Sequence, residues 1–231
     1  MAYTAIDDPE AYFQPVLYTG SGANQSITLG GDTDMQPDLV WLKDRTNTNN
    51  QIFFDSVRGT EKAILPNAVN AETTYTDSLT AFNSDGFSLG DDDDGQTNVD
   101  GNACVAWCWK ESATAGFDMV THTGTGSARN ISHSLSAVPE LMIVKARDAT
   151  EGWAVYHHKM SSAPETDYMY LHNTAAVADY AGFWNDTVPT SSVFSVGDAD
   201  NTNSGSGYDY ISYLFSGKQG FSKFGSYVGN G

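Results

Sequence analysis

The sequence predicts an all-β chain built from two tandem β-sandwich, or jelly-roll, modules. Three observations predict it. Only 17% of the 231 residues are charged, so Ser, Thr, Asn, Gly and Asp must supply the polar surface; they favour turns and sheet edges over helices. The chain holds 12 Tyr, 11 Phe and 5 Trp but no long Ala/Leu/Lys/Glu run, a strand-prone mixture. Strand-like blocks also return in the same order at a nearly constant spacing, the mark of a duplicated unit.

The first block reads FQPVLYTGSG at residues 13–22, FDMVTHTGTG at 117–126 and FSKFGSYVGNG at 221–231, with starts 104 residues apart both times. PDLVWLKDR at 37–45 matches PELMIVKAR at 139–147 with offset 102. Leu65-Pro66-Asn67 matches Leu171-His172-Asn173 with offset 106, FSLGD at 87–91 matches FSVGD at 194–198 with offset 107, and VAWCW at 105–109 matches ISYLF at 211–215 with offset 106. Small drifts are what loop insertions leave between shared strands. The order is therefore a lead at 1–12, a module at 13–115, a module at 116–220 and the opening of a third repeat, or a closing strand, at 221–231. Modules of about 105 residues are ordinary domains. A third repeat broken off at Asn230-Gly231 predicts a longer native chain, or one ordered only in this portion.

In each module the strands are β-branched or aromatic runs bounded by turn residues. They fall at 39–42, 52–54 and 105–109, and again at 141–144, 153–156 and 210–215. Glycine-rich turns separate them at 20–22, 30–31, 85–86, 124–126 and 205–207. Helix is confined to a short piece near 68–72 or 174–179. Cys104 and Cys108 align with Tyr210 and Leu214, as packed strand positions do, since free cysteine packs as a small hydrophobe. Four residues apart on one strand, their Cα atoms stand ~13 Å apart, too far for a mutual disulfide.

The formal net charge is −18, from 29 acidic and 11 basic residues. A surface this acidic repels phosphate backbones, which argues against a nucleic-acid partner. No apolar run of 18 residues occurs, which argues against membrane insertion. The N-terminus lacks the basic-then-apolar pattern of a secretory signal, so synthesis and assembly are expected in a cytoplasm.

The blocks AYTAIDDPEAYFQ, YTGSG, QPDLVWLKDR, FFDSVRG, FNSDGFSLG and AWCWK, with the ending YLFSGKQGFSKFGSYVGNG, resemble a tandem repeat module of structural proteins from marine, cyanophage-like tailed phages. The resemblance covers essentially the whole chain. It implies a concanavalin- or lectin-like β-sandwich and a place on the virion surface, as a tail fibre or a similar tail or head appendage. It also implies host attachment, contact with other virion proteins through the N-terminal segment, and a homo-oligomer, with the trimer of phage fibres as the reference state. Residues 55–59 (DSVRG) find no clean counterpart around 157–160, which confines any role of Asp55 and Arg58 to the first module.

Catalysis needs a nucleophile, a base and a place for substrate. No Gly-x-Ser-x-Gly elbow occurs, and His157-His158 would point to opposite faces of a strand. No catalytic residue is assigned, and the chain reads as non-enzymatic. Acidic residues are plentiful enough that a polysaccharide-degrading pair stays open as an alternative, as does a glycan-binding adhesin. The acidic loops after FSLG and FSVG occupy the same place in the repeat. There Asp91, Asp93, Asp198, Asp200 and Asn203 offer the hard oxygens that Ca²⁺ takes, against the plainer reading of a solvated acidic turn. Lys43 and Arg45 pair with Lys145 and Arg147 across the repeat and share a strand face with Trp41. Together with Trp153 and Trp184 they are candidates for a subunit interface or a cell-surface glycan; the plainer readings are salt bridges within the module and core aromatics.

Overall fold

A computed structural model of the chain describes residues 4, 6–92 and 95–230. Residues 8–111 form one compact unit and residues 112–230 fall in the other. Both are built of antiparallel sheets. No helix among the described residues is long and apolar enough to cross a membrane.

In the first unit the strands are β1 (Phe13–Thr19), β2 (Gln25–Ile27), β3 (Leu39–Asp44), β4 (Gln51–Asp55), β5 (Gly59–Ile64), β6 (Thr73–Thr74), β7 (Leu79–Phe82), β8 (Phe87–Leu89) and β9 (Ala103–Trp109). A six-stranded sheet runs β1-β9-β3-β4-β5-β6, and a three-stranded sheet runs β2-β8-β7. Period-two alternation sends Val40, Leu42, Ile52, Phe54, Ala106 and Cys108 of the large sheet into one core with Ile27, Leu79, Phe87 and Leu89 of the small one. Pro9–Ala11, a 3-10 turn capped by Asp8, belongs to this unit rather than to a separate lead. Glu10 Oε2 accepts the Asp32 N–H at 2.8 Å and fastens that turn to the loop before β3.

The second unit repeats the order. Its strands are β10 (Phe117–Thr123), β11 (Arg129–Ser132), β12 (Leu141–Ala146), β13 (Ala154–His157), β14 (Asp167–Tyr170), β15 (Ala178–Asp179), β16 (Val193–Val196) and β17 (Asp209–Phe215), with one helical turn, α1 (Asp200–Asn203), before the last. The large sheet runs β10-β17-β12-β13-β14-β15, and β11 pairs with β16. Strand for strand this is the first unit without a partner for β7. Phe183 and Trp184, from the loop after β15, join this unit's core instead.

The registers coincide as well. Phe13 faces Trp109 as Phe117 faces Phe215, and Leu39 faces Trp109 as Leu141 faces Phe215. Ile27 faces Phe87 as Ile131 faces Phe194. Cys104 and Tyr210 are thereby equivalent, as are Cys108 and Leu214; both cysteines are buried and free. The short helices expected near 68–72 and 174–179 do not form. Thr73–Thr74 and Ala178–Asp179 there pair as two-residue edge strands, and the helical turn lies in the second acidic loop instead.

Candidate functional site

The polar side chains that the two units share converge on the loop end of each large sheet. Asn98 and Asn203 are both fully buried. Asn98 Nδ2 donates to Ala23 O (2.8 Å) and Gly90 O (2.5 Å), and its Oδ1 accepts Ser21 N–H (2.9 Å). Asn203 Nδ2 donates to Ser127 O (2.8 Å) and Gly197 O (2.5 Å), and its Oδ1 accepts Thr125 N–H (2.8 Å). One amide thus ties the β1–β2 or β10–β11 turn to the acidic loop. The residue six before Asn98 or four before Asn203 starts that loop's inward bend by different chemistry. In the first unit the buried Asp92 carboxylate accepts Thr97 N–H (2.8 Å) and Asn98 N–H (2.7 Å). In the second the Ala199 carbonyl accepts Thr202 N–H (3.0 Å) and Asn203 N–H (2.8 Å), as the start of α1.

Beside the clasp, the Tyr18 hydroxyl donates to Thr97 O at 2.7 Å, and His122 Nε2 meets Thr202 O at 2.8 Å. Burial pushes the His122 imidazole below its usual range, so it is neutral at pH 7; with Nε2–H donating, Nδ1 keeps the lone pair. Below Asn203, Tyr210 replaces the Cys104 of the first unit. Its hydroxyl donates to Asp200 O (2.6 Å) and accepts Ser204 N–H (2.8 Å).

Lys43 and Lys145 serve the β3–β4 and β12–β13 turns. Lys43 Nζ donates to the carbonyls of Asp44 (2.5 Å), Asn47 (3.1 Å) and Asn49 (2.9 Å). Lys145 Nζ donates to Ala146 O (2.7 Å) and Ala149 O (3.1 Å). Lys145 is 0% exposed, and burial pushes its ammonium down to about 8 against the partial pull of Glu151 and Asp148. An unfolded lysine titrates near ~10.4, so between pH 8 and that value the unfolded chain binds more protons and stability rises with pH. The stability gap between wild type and Lys145→Met, read by urea denaturation, is therefore expected to move in favour of wild type by up to about 3 kcal/mol between pH 7 and pH 10.5. A gap that stays flat would remove the desolvation argument.

The remaining candidates separate. Trp153 and Trp184 are 0% and 1% exposed, so neither presents a ring to a sugar; packing in the second unit takes both. Trp41 lies half-buried on the outer face of the first large sheet, edge-on to Phe53 (4.9 Å) and beside Trp107 (5.5 Å), with Nε1–H donating to Gln51 Oε1 (2.8 Å). Arg45 is exposed. Arg147 lines a shallow groove of about 300 Å³ with Thr121, His122, Thr123, Asp209 and Tyr210, where Thr123 Oγ1–H donates to Asp209 Oδ1 at 2.8 Å. Among the calcium candidates, Asp91, Asp198 and Asp200 are exposed and Asp93 lies outside the described residues. Asn203 is wholly buried, and its amide oxygen accepts the Thr125 backbone N–H. Among the described residues no group of three or more His, Cys, Asp and Glu side chains is placed to hold a metal ion.

Asp55 and Arg58 meet as a buried ion pair in the β4–β5 turn: Arg58 Nε stands 2.6 Å from Asp55 Oδ2, and both side chains are 0% exposed. Arg58 also donates to Lys62 O (2.7 Å), Phe53 O (3.1 Å) and Glu72 Oε2 (3.1 Å). Its register equivalent in the second unit starts at His157, where a longer loop follows. Sequence reading missed Asn98, Asp92 and the Tyr18 hydrogen bond. The signal was present, since Thr97-Asn98 and Thr202-Asn203 repeat at offset 105.

No curated protein and no solved structure matches the chain. A family model does match it over residues 8–231, running through both units. The chain belongs to that family, a domain of unknown function designated DUF7483.

Proposed function

We propose that the chain is a non-catalytic structural part of a tailed-phage particle, a tail fibre or similar appendage, in which two tandem jelly-roll modules act as spacer and scaffold. One observation carries the scaffold half of the reading. Two of the polar pairs that the two units hold in common, Lys43 with Lys145 and Asn98 with Asn203, spend their hydrogen bonds on the loops of their own unit. Duplication has kept what builds the fold, which is what a repeated structural part needs. The particle half rests on the sequence resemblance over the same residues.

The test is proteomics of purified particles from the phage whose genome encodes the chain. Its peptides are expected to co-purify with capsid and tail proteins through a density gradient, in a fixed ratio to them. Recovery solely from the soluble fraction of the lysate would overturn the reading.

A further inference from the structure

On a chain of net charge −18, one groove of the first unit is lined without a single formal charge. Asn24, Gln25, Ser26, Thr80, Ser88 and Leu89 line it, and its volume is about 410 Å³. Small-molecule sites run from about 300 to 1,000 Å³. The groove lies on the three-stranded sheet β2-β8-β7, where Ser26 and Ser88 alternate with the core residues Ile27, Phe87 and Leu89 and so turn outward. Thr80 reaches it through a β-bulge. Leu79 faces Leu89 and Ala81 faces Ser88, so Thr80 is an extra residue in β7, and a bulge of this kind re-aims a side chain.

The polar atoms here have hydrogen bonds left to make. Asn83 Nδ2 donates to Ser88 Oγ (3.0 Å), and the Ser26 and Ser88 hydroxyls share one bond (3.1 Å). That bond uses one hydroxyl hydrogen and leaves the other to donate elsewhere. Gln25 Nε2 donates to Thr19 O (3.2 Å) and Asn98 Oδ1 (2.5 Å), which leaves Gln25 Oε1 as an acceptor. Among the described residues the Thr80 hydroxyl and the Asn24 amide have no hydrogen-bond partner.

The second unit keeps the register but not the groove. Asn130 faces Ser195 as Ser26 faces Ser88. Ser195 is only 4% exposed, however, and its hydroxyl donates to Asn130 Oδ1 at 2.6 Å. The small sheet there has two strands, so no third strand supplies a counterpart of Thr80.

We propose that this groove is a binding site for a neutral saccharide the size of a mono- or disaccharide. Hydroxyls and amides both donate and accept, as sugar hydroxyls do. A charged ligand would give up hydration for a groove that offers no counter-ion. An apolar ligand would meet mostly polar atoms. The site is separate from the tryptophans and the Lys/Arg pairs weighed above for glycans, and nothing in it depends on the chain being part of a particle.

The test is a titration of the full chain followed by backbone amide shifts in ¹⁵N-labelled protein. The probes are maltose, cellobiose, lactose and di-N-acetylchitobiose, each up to ~50 mM because neutral hydrogen bonds alone bind at the weak end of the affinity scale. At least one is expected to shift the amides of Asn24–Ser26, Thr80 and Ser88 in a saturable way. Thr80→Val, which keeps the shape and removes the hydroxyl, is expected to weaken that binding about fivefold, and Ser26→Ala with Ser88→Ala by at least as much. Ser132→Ala, on an exposed strand position of the second unit, should leave it unchanged. Amide spectra that otherwise match wild type show that each variant is folded. The proposal is overturned if no probe shifts these amides, if Thr80→Val and the double serine variant bind as wild type does, or if glucuronate or glucosamine binds more tightly than every neutral probe.

Discussion

Arg58→Met is expected to destabilise the first unit by about 3–5 kcal/mol, the cost of leaving a buried carboxylate without its counter-ion. The Asp55 carboxyl is wholly enclosed, and its Oδ1 also accepts the Arg58 backbone N–H at 2.9 Å. That backbone bond survives the substitution, but the guanidinium charge and its donations to Phe53 O and Lys62 O are lost. Urea denaturation followed by tryptophan fluorescence reads the loss, because Trp41 and Trp107 lie in the same sheet. Asp55→Asn added to Arg58→Met should cost less than the sum of the two single changes, since it removes the unpaired charge. A loss below about 1 kcal/mol for Arg58→Met would place the pair in the range of surface ion pairs and contradict its burial.

Asn203→Ala is expected to cost about 1–3 kcal/mol, chiefly from Gly197 O, the buried acceptor that loses its partner; Ser127 O and Thr125 N–H belong to exposed residues and can turn to water. Asn98→Ala should behave alike in the first unit. Two comparisons separate the clasp from general loop damage. Asn201→Ala, two residues away, removes longer bonds (3.3 and 3.2 Å) to Glu151 and Gly152 from a half-exposed side chain and should cost under about 1 kcal/mol. Asn203→Asp keeps the shape but sets a carboxyl in a buried site, raising its folded pKa above the unfolded value of ~3.9. The unfolded chain then loses its proton first, so the stability of this variant should fall as pH rises from about 4 to 7 relative to wild type. Equal losses for Asn201→Ala and Asn203→Ala would remove the clasp as an explanation.

Much of the fold was legible because a duplicated strand must keep its burial pattern. Offsets of 104, 102, 107 and 106 read from the blocks return as matching hydrogen-bond registers, since a one-residue slip would turn every core side chain outward. Where no strand constrained the match, the reading slipped. Asn67 was aligned with Asn173, yet His172 does its work: Gln51 N–H donates to Asn67 Oδ1 (2.9 Å) as Trp153 N–H donates to His172 Nδ1 (3.2 Å). A loop position is defined by what it bonds, and an imidazole nitrogen can stand in for an amide oxygen.

By itself, then, the sequence determined the all-β class, the doubling of the unit and which strands of one unit answer to which of the other, because alternation and spacing are local properties that sheet geometry converts directly into faces. The tertiary structure alone decided which polar and aromatic side chains turn inward. Asp92 and Asn203 look no different in composition from exposed Asp91 and Asp198, and Trp153 and Trp184 look no different from half-exposed Trp41. Asn203 turns inward onto a turn 76 and 78 residues away, as Asn98 does onto one 75 and 77 residues away. Pairing between such distant groups is carried by no local pattern.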